Sequence, residues 1–276
     1  MLIRCWGARG SVPVSGKQYL HYGGDTTCIE LRTKDDNVII IDAGSGARRL
    51  GKRLIAEGRS VFSMLFTHSH WDHIMGFPFF KPVYQSDTRI ALFGCPFVRD
   101  SVKALISPIM TPPNFPVCFD DITADIRYEE TCTDTFTIGG MTVTPIPISH
   151  PNQGLGYRFE EDGKSFVFLT DNELTYRHPG GLAYEDYRTF ASGADLLVHD
   201  AEYLPGEYRQ TRSWGHSVYT DALNLALDAG VARLGLFHHN QDRADRDVDG
   251  MVEECRTAAG RKLDCFALGQ DMEIAL

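Results

Sequence analysis

The sequence predicts an α/β fold in which two sheets pack face to face with helices outside them, a four-layer αββα sandwich. Short apolar runs separated by turn residues fill the first half of the chain and are typical of strands. Strands alternate with helical patterns in the second half. The composition, with 43% hydrophobic and 23% charged residues among 276, is that of a globular protein. The length fits one domain with a large insertion or two small domains, and we predict a single domain over residues 1–276.

Hydrophobic runs predict the elements of the first half. A helix is predicted over Gly46–Glu57. Its Leu50, Leu54 and Ile55 fall at helical spacing, and Gly58 follows as the residue that ends it. Four apolar runs bounded by polar or turn residues predict strands: Leu2–Trp6, Cys28–Leu31, Val38–Ile41 and Phe62–Phe66.

The segment after residue 76 is rich in proline and aromatic residues, as in Met110–Pro116. Such composition is typical of loops, so we predict an insertion at about 77–120 that forms a rim on the substrate side. The aromatic side chains of Phe80, Phe115 and Tyr157 are candidates to stack on a base. Packing within the protein is the more common role of such side chains.

The second half begins with a predicted hairpin. Leu155–Phe159 and Ser165–Leu169 are apolar runs, and the Asp162-Gly163 pair between them is typical of a tight turn. The following segments predict alternating helices and strands, namely a helix over Tyr184–Ala191, a strand over Asp195–Val198, a helix over Ser217–Ala229 and a strand over Arg233–Phe237.

Charge and cysteine content limit the function classes. The 27 Lys and Arg against 37 Asp and Glu give a formal net charge of −10, which disfavours broad, sequence-independent binding of nucleic acid. The N-terminal residues do not resemble a signal peptide, and no apolar run approaches 18 residues, so no membrane span is predicted. Seven cysteines without a C-x-x-C pair suit free, mostly buried thiols in a reducing cytoplasm.

Four potential metal ligands lie within six residues directly after the run Phe62–Phe66. They are His68, His70, Asp72 and His73. Imidazole and carboxylate groups suit Zn²⁺ and other first-row divalent ions. For this composition, chance would produce the pattern in about one such sequence in a thousand.

This H-x-H-x-D-H segment resembles the signature of the metallo-β-lactamase superfamily, whose members have further ligands in a fixed order. His150, Asp171 and His238 follow in that order, each near the end of an apolar run. The upstream motif Asp42–Gly46 is also similar, and in the family its aspartate supports a ligand rather than binding metal. The resemblance implies one metal held by His68, His70, His150 and Asp171, and a second held by Asp72, His73, Asp171 and His238.

A second resemblance concerns Trp214-Gly215-His216-Ser217, which looks like the ribonuclease Z-like phosphodiesterase branch. It implies that His216 protonates the leaving oxygen. The alternative is a structural role at a helix start, where Ser217 would be the N-cap. The segment 197–201 is similar to a His-acid-Ala segment of the branch, with Asp200 in place of Glu. His199 is a possible supporting partner, whereas His21, His178 and His239 are expected to be structural or surface residues.

The sequence departs from true ribonuclease Z in one respect. That enzyme has a long tRNA-binding arm between the third-His motif and the bridging aspartate, whereas only 21 positions separate His150 from Asp171 here. The predicted hairpin fills that stretch. Together with the negative charge, this favours a small phosphodiester such as a cyclic nucleotide over a tRNA precursor.

The expected activity is metal-dependent hydrolysis by a hydroxide that bridges two divalent metals, with Zn²⁺ the leading choice and Mn²⁺ or Fe²⁺ as alternatives. Asp72 would orient the hydroxide and His216 would donate the proton. Two alternatives remain: a lactone or thioester hydrolase at the same site, and a catalytically silent metal-bound sensor or binding module. The family branch also suggests a homodimer.

Overall fold

A computed structural model of the chain describes residues 1–94, 107, 110–113, 115–130 and 134–276. Two sheets of seven strands each form the centre of the molecule. The strands of the described residues, in chain order, are β1 Leu2–Gly7, β2 Cys28–Arg32, β3 Val38–Ile41, β4 Val61–Leu65, β5 Arg89–Gly94, β6 Asp125–Glu130, β7 Phe136–Ile138, β8 Met141–Pro147, β9 Leu155–Glu161, β10 Lys164–Leu169, β11 Leu196–Asp200, β12 Arg233–Phe237, β13 Asp264–Ala267 and β14 Glu273–Ala275.

The helices lie in the loops and crossovers of these sheets. In the described ranges they are α1 Ala47–Ala56, α2 Trp71–Ile74, α3 Tyr184–Phe190, α4 Tyr208–Thr211, α5 Tyr219–Ala229 and α6 Asp245–Ala259, with 3₁₀ turns at Lys17–Tyr19, Phe77–Phe79, Lys81–Tyr84 and Phe119–Asp121. None of these helices is long and apolar enough to cross a bilayer.

The first sheet has the spatial order β14-β1-β2-β3-β4-β5-β6, and the second has the order β13-β12-β11-β10-β9-β8-β7. Leu31, Ile39, Phe159 and Phe168 belong to one core between the two sheets. A second core joins the outer face of the first sheet to α1, and a third joins the outer face of the second sheet to α3, α5 and α6. The four-layer αββα arrangement is therefore confirmed.

Most of the predicted elements are confirmed, with ends that differ by at most two residues. The Asp162-Gly163 turn is the predicted hairpin, because both residues have positive φ (51° and 78°), the conformation that a two-residue turn between twisted strands requires. Within the segment 77–120, β5 pairs with β4 and β6, so part of it is built into the first sheet. Residues 95–106, 108–109 and 114 of that segment lie outside the described residues.

Packing within the protein, the more common role of such aromatic side chains, is what the structure shows for the three candidates, and the stacking role is ruled out for two of them. Tyr157 and Phe80 are buried in the core and cannot reach a substrate, since Tyr157 donates its hydroxyl hydrogen to the carbonyl of Phe66 at 2.8 Å. Phe115 is partly buried and packs edge-on against Phe79.

The role of Ser217 is also corrected. The helix α5 begins at Tyr219 with Val218 as its N-cap residue. The hydroxyl of Ser217 instead donates to the carbonyl of Asn172 at 2.6 Å, and its N–H donates to Asp200 at 2.7 Å. Ser217 therefore ties the loop before α5 to the ends of β10 and β11.

The cysteines of the described residues are free. Cys5, Cys28, Cys255 and Cys265 are buried, as predicted, whereas Cys118 is partly exposed. Burial raises the pKa of Cys5 to about 12, so this thiol stays protonated. Cys95 and Cys132 lie outside the described residues.

Candidate metal centre and active site

The candidate site lies where parallel strands end. Strands β3 and β4 are parallel in the first sheet, and β10, β11 and β12 are parallel in the second. Parallel strands place their carboxyl ends on one edge of a sheet, where α/β proteins commonly bind ligands. The predicted site residues follow these ends: Asp42 after β3, the segment 67–73 after β4, Asp171 after β10 and His238 after β12.

Three of these residues adopt a backbone conformation that residues other than glycine rarely adopt. Asp42, Asp171 and His238 have φ of 60°, 53° and 56°. A residue other than glycine in this left-handed region is destabilised by about 1–3 kcal/mol and persists where the surrounding structure fixes it. Such positions concentrate at functional sites, so the strain at three strand ends marks this edge.

The first group of potential ligands consists of His68, His70, His150 and Asp171. One ligand atom from each lies within 4.8 Å of the others. The Nε2 atoms of His68 and His150 lie 3.5 and 3.9 Å from Oδ2 of Asp171, and Nε2 of His150 lies 2.9 Å from Nδ1 of His70. The structure thus brings together the four residues that the resemblance assigned to one metal.

The second group consists of Asp72, His73 and His238. Oδ2 of Asp72 lies 3.4 Å from Nε2 of His73 and 3.1 Å from Nε2 of His238. Asp171 lies beside this group too, with Oδ1 3.3 Å from His73 and Oδ2 3.4 Å from His238. Asp171 therefore stands between the two groups, the position that a bridging ligand requires.

His216 lies against the second group. Its ring stacks on that of His238 with centroids 4.7 Å apart, and its Nδ1 atom lies 3.8 Å from Asp171 Oδ2 and 3.6 Å from Glu202 Oε2. The geometry would also allow His216, Asp171 and His238 to share an ion. The structure thus places His216 at the cluster, as predicted, and its role there stays a prediction.

Two buried nitrogen atoms of the candidate ligands have no hydrogen-bond partner among the described residues. These are Nε2 of His68 and Nε2 of His73. A buried polar atom without a hydrogen bond is costly, so each such atom needs an explanation, for which a bound ion is a common one. Imidazole and carboxylate donors without cysteine suit Zn²⁺, Mn²⁺ or Fe²⁺. The residues present therefore fit two divalent metal ions.

Hydrogen bonds on the far side of the rings fix three of the imidazoles. Nδ1 of His73 donates to Asp42 at 2.8 Å, and Nδ1 of His238 donates to Glu202 at 2.8 Å. Nδ1 of His150 donates to the carbonyl of Gly215 at 2.9 Å. Such bonds select the tautomer whose Nε2 is free to bind metal. The supporting role predicted for Asp42 agrees with this contact, and Asp42 also holds Thr67 through two bonds of 2.7 Å.

Burial and neighbouring charges shift the pKa values of two candidate ligands, His150 and His73, in opposite directions. Burial lowers the pKa of His150 to about 3, so this ring is neutral and can bind metal at neutral pH. Burial also lowers the pKa of His73, but the carboxylates of Asp171, Asp72 and Asp42 outweigh it and raise that pKa well above the usual value. Metal binding at the second group therefore has to displace protons.

Sequence reasoning missed two buried glutamates. Glu202, which orients His238, comes two residues after β11, beside the Asp200 that was singled out. The signal that could have found it is the presence of three acidic or imidazole side chains, His199, Asp200 and Glu202, at the carboxyl end of an apolar strand. Asp200 itself accepts hydrogen bonds from the N–H groups of Asn172 and Ser217, and His199 contacts Asn172 rather than a ligand.

Glu173 is the second missed residue, and it fixes the loop that carries His216. Its two carboxylate oxygens accept hydrogen bonds from the N–H groups of Ser213 and Gly215, each at 2.8 Å. His178 donates from Nε2 to the same carboxylate at 2.8 Å, which gives this buried histidine the structural role predicted for it. No local pattern in the sequence indicates the contacts of Glu173 with Ser213 and Gly215, because they join segments about 40 residues apart.

Comparison with known proteins agrees with this geometry. The family model described as beta-lactamase superfamily domain matches residues 37–239. Ribonuclease Z of Haloarcula marismortui is 23% identical, with 94% of this chain and 92% of that protein aligned. The metallo-beta-lactamase fold protein YhfI from Bacillus subtilis has 17% identity and a TM-score of 0.73, covering 99% of this chain and 98% of that one. Yeast PDE1 has 15% identity and a TM-score of 0.72, covering 100% and 99%.

At these identities the two solved structures show a shared fold. The resemblance seen in the sequence is confirmed by the family model and by the ribonuclease Z homologues. Because the family model covers well over half of this chain, the chain belongs to the beta-lactamase superfamily, and its homologues include ribonucleases Z.

Proposed function

We propose that the chain is a metal-dependent phosphodiesterase that hydrolyses a small phosphodiester such as a cyclic nucleotide. The observation that carries the proposal is the position of His216. Its imidazole stacks on a candidate metal ligand, His238, and its Nδ1 is buried without a hydrogen-bond partner among the described residues. This suits a group that donates a proton to an oxygen leaving phosphorus. The ribonuclease Z homologues act, by name, on the phosphodiester bonds of RNA.

The candidate ligands are His68, His70, His150 and Asp171 for one ion, and Asp72, His73, Asp171 and His238 for the other. Bound divalent ions would supply Lewis acidity and lower the pKa of a coordinated water to about 7. Zn²⁺ is the first choice, with Mn²⁺ or Fe²⁺ as alternatives.

The chain's own residues would complete the chemistry. Asp72 is fixed by the N–H of Ser11, which donates to Oδ2 at 2.8 Å, and it would orient the attacking water. His216 would give its proton to the leaving oxygen, because a general acid must lie within hydrogen-bond reach of that oxygen. The buried position of the cluster would exclude bulk water from both steps.

Two features favour a small substrate over a tRNA precursor. The 20 residues between His150 and Asp171 contain strands β9 and β10, which are part of the second sheet, so no arm extends from this stretch. The formal net charge of −10 repels a long polyanion, which binds proteins mainly through its phosphates. A compact substrate with one phosphate is attracted locally by the metal ions alone.

Further parts of the proposal concern organisation. We retain a single domain over 1–276 with a substrate-side rim at about 77–120, a homodimer as in the family branch, and a cytoplasmic location. The free cysteines among the described residues support a reducing compartment.

The first test is product analysis by chromatography after the protein, loaded with Zn²⁺ or Mn²⁺, has been incubated with a panel of substrates. The panel contains 3′,5′-cyclic mononucleotides, a cyclic dinucleotide, bis(p-nitrophenyl) phosphate, a lactone and a thioester. We expect preferential cleavage of a phosphodiester. Preferential turnover of the lactone or thioester would assign an acyl hydrolase instead. Stoichiometric metal without any turnover would assign a sensor or binding module.

A further inference from the structure

A cavity of about 380 Å³ opens beside His216. Its volume lies within the range of small-molecule sites. Ser11 and Glu202 also line it, and both contact candidate metal ligands. The N–H of Ser11 donates to Asp72, and Glu202 accepts from His238. The cavity therefore adjoins the candidate catalytic groups directly.

Trp214 gives the cavity an exposed aromatic wall. Its side chain lines the cavity and is 62% exposed, although an indole is among the largest apolar groups a protein can bury. The loop around it is firmly held, since Glu173 accepts hydrogen bonds from the N–H groups on either side, at Ser213 and Gly215. An exposed indole on a well-held backbone beside the candidate active site is suited to stack on a planar ring such as a nucleobase.

The charges of the cavity disfavour a second phosphate. Among the described residues that line it, three carry carboxylates, Glu202, Glu207 and Asp242, and one carries a guanidinium, Arg243. That guanidinium is already engaged, because Nη2 of Arg243 donates to Glu207 at 2.7 Å. The lining also contains uncharged amides that can bond the edge of a base, namely Gln210 and Gln241, and Oε1 of Gln241 is buried without a hydrogen-bond partner among the described residues.

We propose that this cavity binds the uncharged nucleoside part of the substrate that carries the leaving oxygen, with its base stacked on Trp214. The assignment to the leaving side rests on the proposed function, because His216, which lines the cavity, is the proposed proton donor. The substrate class is then a phosphodiester with a nucleoside leaving group and no further phosphate on it. A 3′,5′-cyclic mononucleotide meets this description, whereas a cyclic dinucleotide carries a second phosphate.

The test uses two readouts on the zinc-loaded full chain. The first is calorimetric titration with adenosine, which contains the base and sugar and needs no turnover. We expect binding to the wild type, a loss of about tenfold in affinity for Trp214→Ala, and near-complete retention for Trp214→Phe, because stacking tolerates another aromatic ring. The matched control is Phe79→Ala, which removes another exposed aromatic side chain that packs on Phe115 outside this cavity. Its affinity should be unchanged.

The second readout is steady-state hydrolysis. For a cyclic mononucleotide, Trp214→Ala should raise KM about tenfold. For the base-free cyclic phosphate of propane-1,3-diol, the same variant should behave like the wild type. Adenosine binding that Trp214→Ala leaves intact, or that Phe79→Ala weakens, would overturn the proposal. Adenosine binding that depends on Trp214 without cleavage of any phosphodiester would retain the nucleoside site and contradict the proposed function.

Discussion

At the residue scale, the contacts of the two stacked imidazoles, His216 and His238, indicate what each can do. His216 has an Nδ1 atom without a hydrogen-bond partner among the described residues that faces Glu202 and Asp171, and its side chain is only 10% exposed. A proton donor needs this combination of access to the reacting atoms and shelter from bulk water. Its neighbour His238 has both nitrogens engaged, one by Glu202 and one by Asp72. His216 is therefore suited to donate a proton, and His238 is suited to bind a metal ion.

Replacement of His216 by alanine tests the proton-donor role. We expect His216→Ala to lower kcat about 10²- to 10⁴-fold, the usual contribution of a general acid, while zinc content stays at the wild-type level. Metal analysis and turnover of the preferred phosphodiester measure the two effects. His21→Ala is the control, since His21 is an exposed histidine that stacks on Tyr22 away from the cluster. Unchanged turnover of His216→Ala would remove the assigned role.

Glu202 permits a separate prediction about metal affinity. Glu202→Gln removes the charge that accepts a hydrogen bond from Nδ1 of His238. Loss of such a supporting carboxylate typically lowers metal affinity 10- to 100-fold, and we expect that range in competition titrations with a chelator. Glu207→Gln removes a carboxylate of the same cavity that pairs with Arg243 and no imidazole. Equal loss in both variants would mean that general charge, not orientation of His238, is responsible.

At the scale of elements, the loop between α4 and α5 links the catalytic and metal-binding groups. The carbonyl of Gly215 accepts a hydrogen bond from His150, and Glu173 holds the N–H of Gly215. Gly215 has a φ of 97°, which only glycine adopts without strain. A Cβ atom added there would lie 2.1 Å from Nδ1 of His150. The loop can thus approach the ligand only because residue 215 has no side chain.

Gly215→Ala should therefore displace His150 and reduce both zinc retention after dialysis and melting temperature. Gly230→Ala is a matched control, because Gly230 also has positive φ (64°) and ends α5, but nothing lies within 4 Å of the added Cβ. We expect Gly230→Ala to cost about 1 kcal/mol of stability and to leave zinc retention unchanged. Full zinc retention by Gly215→Ala would show that His150 does not depend on this loop.

The same elements show how far the sequence predicts this protein. The hairpin and the strands were predictable because their signals are local: alternating apolar runs and an Asp-Gly turn. The convergence of His68, Asp171 and His238 was predicted from the resemblance to the family, and the structure places each of them after a strand that belongs to a parallel array. Glu173 and the corrected roles of Ser217 and Tyr157 were not, because each depends on a partner more than 40 residues away, and such pairings leave no local pattern.

At the scale of the whole molecule, the cluster connects the two sheets. His68, His70, Asp72 and His73 come from the loop after β4 of the first sheet. His150, Asp171 and His238 come from the ends of β8, β10 and β12 of the second. Metal ions bound to both sets would join the two halves of the sandwich at one edge, in addition to the apolar core between the sheets. Metal binding is therefore expected to contribute to the stability of the fold as well as to catalysis.

Removal of metal should consequently lower the melting temperature. A ligand at 100 times its Kd stabilises the folded state by about 2.7 kcal/mol per site, which for a chain of this size corresponds to a shift of roughly 5–10 °C. Differential scanning calorimetry before and after chelation, and after zinc is added back, measures this shift. Asp171→Asn should strongly reduce the zinc-dependent part, because it weakens a carboxylate that faces both groups of ligands. A wild-type melting temperature that is indifferent to zinc would contradict a metal link between the sheets, whereas a zinc shift retained by Asp171→Asn would contradict only the bridging role of Asp171.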